Sequence, residues 1–347
     1  MRDWILRGAI VAATLLFGCR ANDSRADGPA RSADRSAPPP GVERTDAAGR
    51  LATRPAPPPA SHPATRPASA PAPATSPASA PVTQPAPPPG ERFRLPTVGE
   101  VFVPAALPRD LAQVDLVVHF HGTPRVSERE FAAARLRGVL VTINYGGLSG
   151  AYEKPFSDET LFDRVLAETL AALRERQLVA PHADWRRVCV SSFSAGFGAV
   201  RALLKVPAYF DRIDALYLAD TLYAGYVEDD GVRRVNPANV RDFARFAAEA
   251  AAGRKTLLVT HSYLAPGSYA GTHETADELV AAAGAERRAV DEPGPAAMRV
   301  VSRAERGGFR LWGCAGTTGD DHMAHFRNMR FWYRELPLER VRATASE

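Results

Sequence analysis

Four short apolar runs constrain this chain more than any other feature. They are LVVHF (Leu116–Phe120), VLVTI (Val139–Ile143), VCVSS (Val188–Ser192) and LLVT (Leu257–Thr260). Each is nearly continuous in apolar character instead of alternating, which is the pattern of a strand covered on both faces. The strands expected around them and beyond are Val114–Phe120, Gly138–Ile143, Arg187–Ser191, Ala215–Ala219, Thr256–Thr260 and Phe309–Gly313. Helical patterns fall between them at Asp158–Gln177, Gly196–Lys205, Asn239–Ala252 and Thr275–Ala283. Strand and helix in alternation predict an α/β fold with a mostly parallel central sheet and helices on both faces. Phe93–Pro104 is expected to add an edge hairpin, bounded by Pro96 and Pro104.

Not all 347 residues can join that core. Residues 29–90 hold 18 of the 30 prolines, mixed with Ala, Ser and Thr. So few large apolar groups cannot offset the entropy of ordering, and the tract is expected to be extended and polyproline-like. The organisation predicted is a leader over residues 1–19, a Pro/Ala-rich linker over 20–92 and a folded domain over 93–347. The formal net charge is +4, all of it within residues 1–92, so the domain itself is balanced. A balanced domain gives no reason to expect nucleic acid as a partner.

The leader has Arg2 and Arg7 ahead of an apolar stretch, Gly8–Phe17, too short for a bilayer that needs about 20 residues. It ends Leu16-Phe17-Gly18-Cys19, which resembles a bacterial lipobox. That resemblance implies export and a lipid anchor at Cys19, hence a place at the cell envelope, on the outer-membrane or periplasmic side if the cell is Gram-negative. Arg20 following Cys19, instead of Asp, favours the outer membrane. Cys189 falls on one expected strand and Cys314 just past the end of another, the two strands being about 14 Å apart, beyond disulfide reach, so both are expected to be free and buried.

Three segments carry candidate chemistry. In VCVSSFSAGFGAVRALL a buried strand passes into a helix through Ser192-Phe193-Ser194-Ala195-Gly196. A nucleophile on such a sharp turn needs small neighbours, here Ser192 and Gly196, and the helix N-terminus turns free N–H groups toward it. The alternative is that Ser194 merely caps the helix. A second segment, His119-Phe120-His121-Gly122-Thr123, closes the first long strand. His119 and His121 are two apart and would share one face, but no third ligand stands at a matching spacing, so no metal and no cofactor are expected. The third, GTTGDDHMAHF from Gly316, follows the last strand and offers His322 and His325. His322, in the loop after the Gly-Asp-Asp turn, is favoured as the base; His325 would open a final helix, His325–Glu335. Among acids, Asp220 at a strand's carboxyl edge is favoured, with Glu274 and Asp277 as alternatives.

Taken in order, these motifs resemble the α/β-hydrolase superfamily over residues ~110–335, in a serine-esterase form carried on a lipoprotein leader. The resemblance implies Ser194 as nucleophile, His322 as base and Asp220 as acid, in the Ser…Asp…His chain order of that fold. It also implies an oxyanion hole from the N–H of Gly122 or Thr123 and that of Ala195. The activity implied is hydrolysis of a carboxylic ester, from a small molecule or the envelope itself, through an acyl-enzyme. A peptidase or amidase on the same fold, or a non-catalytic envelope module, are the alternatives. Substrate-shaping loops are expected at Asn144–Gly147, Tyr223–Tyr226 and Tyr263–Thr272.

Overall fold

The computed structural model describes residues 86–341. The leader, Cys19 and most of the expected linker therefore lie outside the described residues. Contacts divide the chain into Met1–Ala78 and Ser79–Glu347, and every described residue belongs to the second unit.

A hairpin of β1 (Gly90–Arg94) and β2 (Glu100–Pro104) opens the fold, and its first three residues fall inside the expected linker. Then come β3 (Gln113–Phe120), α1 (Pro124–Ala134), β4 (Gly138–Ile143), α2 (Gly150–Phe156), α3 (Leu161–Glu175) and β5 (Asp184–Ser194). The middle of the chain holds α4 (Phe197–Lys205), α5 (Pro207–Arg212), β6 (Ala215–Thr221), a small hairpin of β7 (Tyr226–Asp229) and β8 (Val232–Val235), and α6 (Pro237–Ala251). The chain continues through β9 (Thr256–His261), α7 (Thr272–Ala283), β10 (Arg288–Pro293), β11 (Arg299–Arg306), β12 (Phe309–Cys314), α8 (Gly319–Arg327) and α9 (Met329–Tyr333).

Ten of the strands form one sheet in the order β1-β2-β4-β3-β5-β6-β9-β12-β11-β10. The six from β4 to β12 run parallel, and the outer pairs at both edges are antiparallel. The continuous apolar runs occupy this parallel centre, where β3, β4, β5 and β6 are buried on both faces. One face carries α1, α8 and α9; the other carries α2 to α7. This is the α/β-hydrolase fold: a mostly parallel sheet, helices on both faces, and strand-to-helix turns gathered at the carboxyl edge.

Several boundaries differ from expectation for local reasons. The helix expected from Asp158 starts at Leu161, because the Asp158 carboxylate accepts from the Thr160 N–H and hydroxyl and holds a turn there. The final helix expected over His325–Glu335 is two helices broken at Asn328. The first begins at Gly319, where Thr318 and Asp321 cap each other reciprocally, so His322 lies on a helix and not in a loop. Cys189 and Cys314 are free and buried, on β5 and β12, with β6 and β9 between them.

Candidate active site

The turn after β5 is shaped by close backbone contact. A Cβ on Gly196 would sit 2.2 Å from the Phe120 carbonyl oxygen, and one on Gly198 would sit 2.1 Å from that of Ser149. Only glycine allows the turn to nest against β3 and the following helix against α2. Ser194 itself takes φ +47°, a left-handed conformation that costs a non-glycine residue roughly 1 kcal/mol or more. The Thr221 hydroxyl donates to the Ser194 carbonyl at 2.5 Å and pins the turn. Gly196, not Ser194, caps α4, and no side chain bonds the helix end. The Ser194 hydroxyl is therefore uncommitted among the described residues, and the residue lines a cavity of about 330 Å³.

Asp220 is the penultimate residue of β6, the neighbouring strand, also with positive φ, +42°. Its carboxylate is fully buried and accepts from the Ser262 N–H at 2.8 Å, the Ser262 hydroxyl at 2.7 Å and the Thr272 hydroxyl at 2.5 Å. The fourth partner is His322 Nδ1, at 2.7 Å from Oδ2. Burial alone would raise this carboxyl's pKa. The charges of His325 and His322 and the hydrogen bonds from His322 and Thr272 outweigh it, and hold the group below the usual carboxylate range. An ionised Asp220 accepts only, so His322 Nδ1 is the donor in this bond, and in the neutral form of such a ring Nε2 is the acceptor. The imidazole is stacked on Phe193, the residue before Ser194, with centroids 4.5 Å apart. No hydrogen bond joins Ser194 to His322 in this structure.

The other sequence candidates go elsewhere. Glu274 accepts from the Tyr226 hydroxyl and from the Gly271 N–H at the start of α7. Asp277 is paired with Arg287 on the surface. His325, three residues after His322 on α8, is buried, bonded to the Thr260 hydroxyl at 2.9 Å and stacked on Trp332. None of the three contacts Ser194 or His322 through a hydrogen bond.

His119 and His121 do not share a face as their spacing suggested. The strand ends at Phe120, and His121 leaves it with φ +72°. His119 stays in the core, bonded to the Ser191 hydroxyl at 2.8 Å, and burial pushes its imidazole down to about 3. His121 Nδ1 instead meets the Tyr152 hydroxyl at 2.8 Å. That hydroxyl donates to Asn144 Oδ1 at 3.0 Å, and the same oxygen receives the Gly122 N–H at 3.3 Å. Asn144, expected to shape a substrate site, thus braces the turn after β3. The Gly122 N–H is engaged, whereas the Thr123 and Ala195 N–H groups have no acceptor among the described residues. Among those residues no group of three or more His, Cys, Asp or Glu is arranged to hold a metal ion.

Sequence reasoning missed Ser262, Thr272 and Thr221, the hydroxyls that hold the acid and the turn. It also missed Tyr152 and its bond to His121. Ser262 and Thr272 were legible only as members of a long polar segment after β9, and nothing in their spacing pointed at Asp220.

No protein family of known definition matches the sequence, and no curated protein matches it. Solved structures do. They include the siderophore hydrolase EstB from Aspergillus nidulans, at 14% identity over 72% of this chain and 96% of that one, TM-score 0.41. Poly(aspartic acid) hydrolase-1 from Sphingomonas sp. KT-1 is 12% identical over 71% of this chain and 100% of that one, TM-score 0.41. The enterobactin esterase FES from Shigella flexneri is 14% identical over 70% of this chain and 60% of that one, TM-score 0.39. These are likenesses of fold, which the strand order above establishes independently.

Proposed function

We propose that this protein is a serine hydrolase that cleaves a carboxylic ester through an acyl-enzyme on Ser194. The observation that carries the reading is the Asp220–His322 hydrogen bond, with its imidazole stacked on Phe193 beside a strained turn whose Ser194 lines a cavity. Strained backbone at three strand ends, His121, Ser194 and Asp220, supports it, since such strain gathers at working sites. In the mechanism, His322 Nε2 takes the Ser194 proton as Oγ attacks the ester carbonyl. Asp220 holds the ring by Nδ1 and stabilises its charged form. The Ala195 and Thr123 N–H groups, with no internal acceptor, receive the oxyanion. The tetrahedral adduct collapses, the alcohol leaves with the His322 proton, and water deacylates the serine by the same route in reverse. Apo hydrogen bonds to a nucleophile are often unformed and tighten with substrate.

Ser194→Ala should lose both fluorophosphonate labelling and ester hydrolysis while melting within a degree or two of the parent. Labelling that persists, or that maps to Ser191 or Ser192, refutes the assignment. The proposed location is the cell envelope, through a lipid on Cys19. It rests on Arg2, Arg7 and the Leu16–Cys19 motif, and membrane fractionation of Cys19→Ala tests it.

A further inference from the structure

The cavity beside Ser194 has an unusual polar end. Its walls are aromatic: Phe197 and Tyr223 lie 5.8 Å apart, and Tyr223 and Tyr269 meet edge to face at 5.6 Å. Arg201 also lines it, with only 14% of its side chain exposed. It stands four residues beyond Phe197 on α4, about 6 Å along the helix axis, with its guanidinium over the Phe197 ring at 4.8 Å. One guanidinium nitrogen donates to the Tyr223 carbonyl at 2.9 Å, and Nε is buried with no partner. Outside the cavity, Glu153 lies 3.6 Å from Arg201 and 3.0 Å from Lys205. One carboxylate shared between two cations leaves one positive charge in excess. Asn239 adds a further donor. Its Oδ1 accepts from the Gly225 N–H at 2.8 Å, which fixes the amide and leaves its NH₂ group without a partner among the described residues. No carboxylate lines the cavity.

We propose that this cavity binds a carboxylate carried on a flat ring of the substrate, with Arg201 as the specificity-determining residue and Asn239 as a second donor. The unpartnered polar groups at this end, Arg201 Nε and the Asn239 NH₂, are both donors, and they pair best with an anion that accepts from both residues. The aromatic walls supply a slot for the ring. The inference rests on the hydrolase reading, because it makes this cavity the substrate's seat, and it narrows that reading to esters whose body bears a free carboxylate.

The test measures binding without turnover. The full chain carrying Ser194→Ala is titrated calorimetrically with monomethyl terephthalate and with its neutral isostere, methyl 4-carbamoylbenzoate. The anion should bind at least tenfold more tightly. Arg201→Gln in the same background should bring the two affinities within about twofold, and Arg201→Lys should restore part of the preference. Glu153→Gln, which removes the competing carboxylate from outside the cavity, should raise the preference and serves should Arg201→Gln fail to fold. Equal affinities, binding of neither ester, a preference that survives Arg201→Gln, or one that does not rise in Glu153→Gln overturns the proposal. Fluorophosphonate labelling of the parent protein reports on Ser194 separately, so loss of the anion preference and loss of the hydrolase reading are distinct results.

Discussion

At the scale of single residues, Asp220 is the position on which most depends. Four donors converge on one buried carboxylate, so replacing it leaves hydroxyls and an imidazole unpartnered as well as removing a charge. Asp220→Asn should lower kcat/KM by three orders of magnitude or more, because an amide can present the wrong group to Nδ1 and cannot stabilise the imidazolium. His322→Ala should be as severe, and the two losses should not add. Glu274→Gln and Asp277→Asn should stay within about tenfold of the parent. His325→Ala should retain most of its activity per folded molecule but melt lower, since it removes a stacked, buried ring. Steady-state rates and melting curves on the five variants check this; a silent Asp220→Asn would point to a different acid. Asp220 was legible in the sequence because it stands where an apolar run stops. Its partners were not, since Ser262 and Thr272 reach it only through a loop whose path depends on the finished sheet.

Among elements, the packing of α4 on α2 is the tightest constraint. Gly198 was readable as a residue of close approach, but its partner was not: α2 is seven residues long and contains Pro155, so it has no clear helical period. A methyl group at Gly198 would meet the Ser149 carbonyl at 2.1 Å, against backbone that cannot rotate away. Gly198→Ala should therefore cost about 2–3 kcal/mol in urea unfolding, the scale of core overpacking. Gly150→Ala, in α2 with no atom within 4 Å of the new methyl, should be neutral or slightly stabilising. Equal stabilities for the two variants would show that the helices can part. The strands β10 and β11 escaped sequence reading for another reason. β11 is buried only at alternate positions and β10 is mostly exposed, so neither shows the continuous apolar run of the central strands. The sheet's centre was legible because burial on both faces leaves a simple pattern, and its edge was not, because half-exposed strands are written in mixed residues.

For the molecule as a whole, two buried histidines make stability depend on pH. Burial pushes His119 down to about 3, and burial together with the Arg287 charge does the same to His261. In the unfolded chain each would titrate near 6.5. Between those values the unfolded state holds protons that the folded state does not, so stability is complete above about pH 6.5 and falls as pH drops toward 3. Asp220, held below the usual carboxylate range, extends the loss to still lower pH by the same sign. Urea unfolding from pH 7 to pH 4 should show a decline of roughly 1 kcal/mol per pH unit for each histidine at its steepest. His119→Gln should be less stable at pH 7 but decline more gently; an unchanged slope would exclude His119 as a source. One contact described above has a mechanical consequence. Phe193 precedes Ser194 in the chain and stacks on His322, and Phe326, one turn further along α8, lies 4.9 Å from the same phenyl ring. Hydroxyl and imidazole, far apart along the polypeptide, are thus clamped to a single strand end. A displacement of α8 would therefore press on the strand end that carries Ser194, because the two stacked rings leave no slack between them.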